Sequence, residues 1–270
     1  MLFNTQEGVL KLNGNRVDYA AFGNGARPML LIQGLTLRPL KGSALPLAHM
    51  YRRFAKDYRV YLFDRPEALP EPCTVEALAE SVNAAMEALG LSDADVLGVS
   101  QGGMIAQYLA LNHPDKVRSL ALGVTLCRTN PTVEAAIARW VAWISAGDTT
   151  AMLRDMLKNM YSEAYAKRWG WVFPVAARVQ KLLPPDRFCA LARSCLTCDT
   201  RDRLRELRCP VLVLGAEEDR IVTAAASREI ADRLGCALHM YPGLGHAAYE
   251  EAADFNQRVF DFFIRSDQYE

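Results

Sequence analysis

The sequence carries no excess charge of either sign. Lys plus Arg and Asp plus Glu both total 31 in 270 residues, so the formal net charge is zero. That balance gives no basic field to attract nucleic acid or an anionic lipid surface, and neither is expected as a partner. No apolar run approaches the roughly 18 residues of a membrane span. The opening residues MLFNTQEGVLKLNG lack a basic segment followed by an apolar one, which predicts no secretory leader. Internal repeats and low-complexity tracts are missing. Histidine is scarce at four residues, and so is tryptophan at four. The seven cysteines are an odd number, which with no leader predicts reduced thiols and a cytoplasmic location. Only one Cys-x-x-Cys occurs, Cys195 and Cys198. With no second pair and no strand leading into it, it reads as small apolar side chains on a helix rather than half a metal or redox site. No metal and no organic cofactor is expected.

What the chain does have is apolar content, 51% of its residues, enough for a sizeable core. Segments 8–12 and 16–22 flank Asn13-Gly14, a hairpin signature. Short apolar runs at 29–32, 59–63, 95–99, 119–122, 210–214 and 237–241 read as strands. Segments 44–56, 74–89, 101–112, 224–234 and 252–264 have helical apolar spacing. Strands alternating with helices predict an α/β fold, a mostly parallel sheet flanked by helices. From 129 to 207 the spacing stays helical without a convincing strand. Residues 127–207 are therefore expected as an all-helical insertion dividing a core made of residues 1–126 and 208–270.

The strongest chemical signal is Gly98-Val99-Ser100-Gln101-Gly102-Gly103. It ends one predicted strand and opens a predicted helix, the context that a Gly-x-Ser-x-Gly nucleophile elbow requires and an ordinary Gly-rich turn does not. A serine on so tight a turn needs small neighbours two residues away, and Gly98 and Gly102 supply them. The helix that follows begins with free N–H groups, so the amide of Gln101 can stabilise an oxyanion.

A serine hydroxyl needs a base to become a nucleophile. His113 lies at a helix end, His49 on an early helix and His239 within a predicted strand. His246, in the loop Gly243-Leu244-Gly245-His246 after the last strand, is the candidate base, because α/β sheets carry their sites in loops at strand ends. A third group must orient the imidazole. Glu217, Glu218 and Asp219 follow the strand at 210–214, and each satisfies the order nucleophile, acid, histidine.

Taken together, these residues resemble the α/β-hydrolase superfamily, in particular its single-domain esterase, lactonase and haloperoxidase-like members. The resemblance spans nearly the whole chain and is weakest from 129 to 207. It implies a hydrolase fold with Ser100, Asp219 and His246 as the catalytic triad. Asp219 is selected over its neighbours because the family's acid stands two residues before a hydrophobic residue, here Ile221. It also implies that the insertion is a helical lid. Where the family usually has His-Gly after its third strand, this chain has Gln33-Gly34, which makes the amide of Leu35 the second oxyanion donor beside that of Gln101. Gln33, Gly34 and Thr36 are then expected to border the substrate, Thr36 through its hydroxyl. A second departure follows Asp64-Arg65, where Pro66-Glu67-Ala68-Leu69-Pro70 replaces the family's Gly-rich loop.

All four tryptophans, Trp140, Trp143, Trp169 and Trp171, fall in the insertion, with Met152, Met156, Met160, Tyr161, Tyr165 and Phe173. Trp140 and Trp143 lie three apart on a helix and so share a face. They are the candidates for an aromatic pocket over Ser100, with lid packing as the alternative. The expected activity is hydrolysis of a small carboxylic ester, lactone or related acyl substrate with an apolar part. Amide or carbon–carbon cleavage, acyl transfer, and ligand binding with little turnover use the same residues and stand as alternatives.

Overall fold

The computed structural model describes residues 2–170 and 182–266. The chain opens with a hairpin, β1 (Gln6–Leu12) and β2 (Asn15–Phe22), paired antiparallel with Leu12 opposite Asn15. Asn13 and Gly14 both have positive φ, at 50° and 82°, the twist that a two-residue hairpin loop needs. The remaining strands are β3 (Arg27–Ile32), β4 (Tyr58–Phe63), β5 (Ala94–Val99), β6 (Val117–Gly123), β7 (Val211–Ala216) and β8 (Ala237–Tyr241). One eight-stranded sheet results, in the order β1-β2-β4-β3-β5-β6-β7-β8. From β4 onward in that order every pairing is parallel.

Helices cover both faces, which is why the central strands read as unbroken apolar runs. All six residues of β5 and of β7 are buried. Val96 packs with Leu78 of α2 (Val75–Ala88) and Ile105 of α3 (Gln101–Asn112) on one face. Leu97 and Val99 pack on the other face with Leu47 of α1 (Ala44–Met50). The predicted helix 44–56 stops at Met50. Beyond it Phe54, Ala55 and Asp57 donate three residues back instead of four, so the chain proceeds as successive turns. The apolar spacing persists because Tyr51, Phe54 and Tyr58 still point into the core.

Between β6 and β7 lie α4 (Pro131–Ser145), α5 (Thr149–Met160), α6 (Glu163–Trp169) and α7 (Pro185–Ser194). Capping side chains set the starts of the first three. Asn130 accepts from the amides of Thr132 and Val133, Asp148 from Ala151 and Ser162 from Tyr165. After β7 come α8 (Ala224–Leu234), then β8, α9 (Ala248–Glu251) and α10 (Phe255–Ser266). The predicted helix 252–264 thus starts three residues later and ends two later, with the one-turn α9 ahead of it. Among the described residues no helix is long and apolar enough to cross a membrane.

Candidate active site

Val99 ends β5 and Gln101 begins α3, so Ser100 makes the reversal alone. Its φ of 55° and ψ of −122° lie where side-chain-bearing residues rarely go, at a cost of about 1–3 kcal/mol. Surrounding bonds over-determine that conformation. The Ser100 amide donates to the Gly123 carbonyl at 2.9 Å, and its carbonyl accepts from the Thr125 hydroxyl at 2.7 Å and the Gly103 amide at 2.9 Å. The flanking glycines are there for space. A Cβ on Gly102 would stand 1.9 Å from the Ile32 carbonyl oxygen, and one on Gly98 would stand 2.6 Å from that of Gly102.

The other two groups arrive from the ends of β7 and β8. His246 Nε2 lies 2.9 Å from Ser100 Oγ, and its Nδ1 lies 2.8 Å from Asp219 Oδ2. Both side chains are buried. Asp219 Oδ1 accepts from the amides of Ile221 at 2.8 Å and Val222 at 3.0 Å. Burial by itself would raise the Asp219 carboxyl. The charge and hydrogen bond of His246, with those two amides, outweigh it and hold the group below the usual carboxylate range. The neighbouring acids go elsewhere. Glu217 pairs with Arg228 at the surface, and Glu218 is exposed. The other histidines also stand apart: His113 meets Glu80 at 2.9 Å, and His239 packs edge-on against Tyr241.

Beside Ser100 runs the loop after β3. Gly34 is in contact with the serine, and a Cβ there would lie 3.1 Å from Ser100 Cβ. Among the described residues, neither the Leu35 nor the Gln101 N–H donates to a backbone acceptor. Arg65, buried at 8% exposure, joins the two segments that carry these amides. One of its Nη atoms donates to the Gln33 carbonyl at 2.8 Å and to Gln101 Oε1 at 3.1 Å, while its Nε has no partner among the described residues. The Gln101 side chain in turn donates to the Leu191 carbonyl, Ser194 Oγ and Cys195 Sγ at the end of α7. Arg187 of α7 completes the link by donating to the carbonyls of Arg65, Pro66 and Glu67. The break from the family pattern at Asp64-Arg65-Pro66 was the one sequence signal pointing at this network.

Residues 27–253 match the family model described as alpha/beta hydrolase fold. The chain belongs to the α/β-hydrolase family. A protein of Caulobacter sp. (strain K31) named for carbamate hydrolysis is 28% identical over 239 residues, which cover 83% of this chain and 87% of its own. The pimeloyl-[acyl-carrier protein] methyl ester esterase of Chromobacterium violaceum is 29% identical, over 75% of this chain and 82% of its own. The solved enol-lactonase of Burkholderia xenovorans LB400 superposes with a TM-score of 0.82 over 95% of this chain and 100% of its own, at 22% identity. At that identity the superposition speaks for the fold alone.

In this α/β hydrolase a cavity of about 510 Å³ opens beside the serine. Gln33, Gly34, Leu35 and Val99 form the wall next to Ser100. The rest is largely apolar: Leu40 and Leu47 from the core, and Leu153, Met156 and Met160 from α5. The insertion is bonded to the histidine loop itself, since the Met160 carbonyl accepts from the Ala247 amide at 2.8 Å. One expectation is corrected here. Trp140 and Trp143 are not among the described residues lining the cavity. Their shared face of α4 turns into the packed interior, where Trp140 is 4% exposed and its indole donates to Asp155 Oδ2 at 2.9 Å. Thr36 lines the cavity, with its hydroxyl turned onto the backbone of Arg38, accepting from its amide and donating to its carbonyl. Trp171 and Phe173 lie outside the described residues. Cys195 and Cys198 are buried free thiols, and burial pushes Cys195 up to about 12.

Proposed function

We propose that this chain is a serine hydrolase that cleaves a small carboxylic ester or lactone with an apolar portion, through an acyl-enzyme on Ser100. The observation that carries the reading is the unbroken chain of hydrogen bonds from Asp219 through His246 to a strained Ser100, whose neighbours Val99 and Gly34 line a largely apolar cavity. Ser100 Oγ attacks the acyl carbon while its proton passes to His246 Nε2. The amides of Leu35 and Gln101 stabilise the oxyanion, and Arg65 braces the two segments that hold them. Collapse expels the alcohol, which takes the proton from His246 and leaves the acyl group on Ser100. Water then attacks that acyl carbon as His246 accepts its proton, and the second collapse frees the acid and returns the proton to Ser100. A carbamate offers the same acyl carbon, and the relative named for carbamate hydrolysis brings that class into the test panel. The bonds between the insertion and the histidine loop, and the α5 side chains over the cavity, support residues 127–207 as a lid. The seven free thiols support a reducing, cytoplasmic setting.

Turnover of short p-nitrophenyl esters well above the uncatalysed rate is the direct test; binding without turnover would refute the enzyme. The cavity adds a quantitative expectation. Each methylene buried against Leu153 and Met156 contributes about 0.8 kcal/mol, or roughly fourfold in kcat/KM per carbon until the space is filled. Met156→Ala is expected to flatten that rise across acetyl, butyryl and hexanoyl esters. Trp140→Ala is expected to act differently, lowering stability by about 3–5 kcal/mol as a buried large-to-small change and scaling all three esters by one factor. Thermal melts and the three kcat/KM values for each variant decide between a lining and a packing role.

A further inference from the structure

At the histidine side of the cavity, three tyrosines and one carboxylate converge from segments far apart in sequence. Tyr51 follows α1, Tyr161 follows α5, and Tyr249 and Glu250 belong to α9. All four line the cavity. The Tyr161 hydroxyl donates to Glu250 Oε2 at 2.8 Å, and the Tyr161 ring is backed by Tyr165, stacked at 4.5 Å. Burial first, and then the Glu250 charge, push the Tyr51 phenol above the usual tyrosine range. The same two causes raise Tyr249, whose phenol also feels Tyr161 and Tyr51. The phenols of Tyr51 and Tyr249 therefore stay neutral.

Two adjacent acids in this segment have different fates. Glu251 is spent on structure, accepting from the amide and hydroxyl of Ser162 at the start of α6. Glu250 forms no ion pair with any Lys, Arg or His among the described residues. Arg38, the cation among the described residues that line the cavity, is exposed and does not pair with it. Tyr51 supplies an independent sign of a ligand. It is 3% exposed, it lines the cavity, and its hydroxyl has no hydrogen-bond partner among the described residues. Glu250 is exposed at the edge of the cavity, and a carboxylate with no ion pair among the described residues, set beside three lining tyrosines and one idle hydroxyl, is complementary to an organic cation.

We propose that Tyr51, Tyr161, Tyr249 and Glu250 form a subsite for a small organic ammonium group carried by the substrate. Glu250 supplies the charge and the tyrosine faces supply cation–π attraction. Naming this group as part of a substrate rests on the ester-hydrolase reading above; its binding does not.

The test uses choline and 3,3-dimethyl-1-butanol, which match in shape and differ in charge. Calorimetric titration of the wild-type protein is expected to show choline bound about tenfold more tightly. Glu250→Gln is expected to bring that ratio to about threefold or less, and Ser100→Ala to leave it standing, because the nucleophile takes no part in it. Equal affinities in the wild type, no measurable choline binding, or an undiminished ratio in Glu250→Gln would overturn the subsite. The ratio of kcat/KM for acetylcholine over 3,3-dimethylbutyl acetate is expected to follow the binding ratio. A wild type that prefers choline yet hydrolyses neither ester would uphold the subsite and refute the hydrolase reading instead.

Discussion

Ser100→Ala is expected to lower ester turnover by at least about 10⁴, and to remove labelling by a fluorophosphonate probe altogether. Loss of the nucleophile in a serine protease with the same three groups costs about 10⁶ in kcat, so the figure is conservative. The expectation rests on geometry particular to this serine. Its hydroxyl is 2.9 Å from His246 Nε2, and its backbone is held at positive φ by bonds that no other serine in the chain shares. Wild type should carry one label per chain. The Ala side chain keeps the Cβ and loses only Oγ, so the mutant should fold as the wild type does. Persistent labelling of that mutant would show that another side chain is the activated one.

Asp219→Asn is expected to cost between about 10² and 10⁴ in kcat/KM at neutral pH. The hydrogen bonds dictate why. Two backbone amides, those of Ile221 and Val222, already donate to Asp219 Oδ1. An asparagine must put its carbonyl oxygen there, which aims its NH₂ group at His246 Nδ1. That nitrogen must then accept, so the proton moves to Nε2, and Nε2 can no longer take the proton of Ser100. Glu218→Gln, at an exposed position, is expected to stay within about twofold of wild type. Steady-state kinetics of the two variants on one ester make the comparison, and the reverse ranking would assign the role to Glu218. The depressed Asp219 carboxyl has a consequence for stability as well. Its contribution is fully present above the ordinary carboxylate pKa and is lost as pH falls through the lower, folded value.

Much of the fold was legible because its rules are local. Asn13-Gly14 supplies the two positive φ angles of a hairpin loop wherever it falls between two strand-like runs. The serine elbow is written in part the same way: a Cβ at residue 98 would strike the Gly102 carbonyl of the same turn, whereas the one at residue 102 is excluded by the Ile32 carbonyl of the neighbouring strand. Helical and strand spacing located the sheet and its order of elements, and failed only at ends such as Met50, where hydrogen bonding changes while apolar spacing continues.

Choosing among the acids at 217–219 is not a local matter. Spacing treats them alike, and the family resemblance pointed to Asp219. In the structure Asp219 alone is buried against a histidine 27 residues further on. Trp140 and Trp143 show the same limit from the other direction. A three-residue interval guarantees one shared face, but which neighbour that face meets depends on how the insertion docks, and here it meets the packed interior. The bracing of Gln33 and Gln101 by Arg65, and the meeting of Tyr51, Tyr161 and Glu250, join segments separated by 32 residues or more. Sequence by itself determined the elements, the elbow and the set of groups able to do acyl chemistry, because backbone sterics and periodicity act between near neighbours. Tertiary structure alone decided what lines the cavity and what supports the site, because those contacts exist only once the sheet and the insertion have packed together.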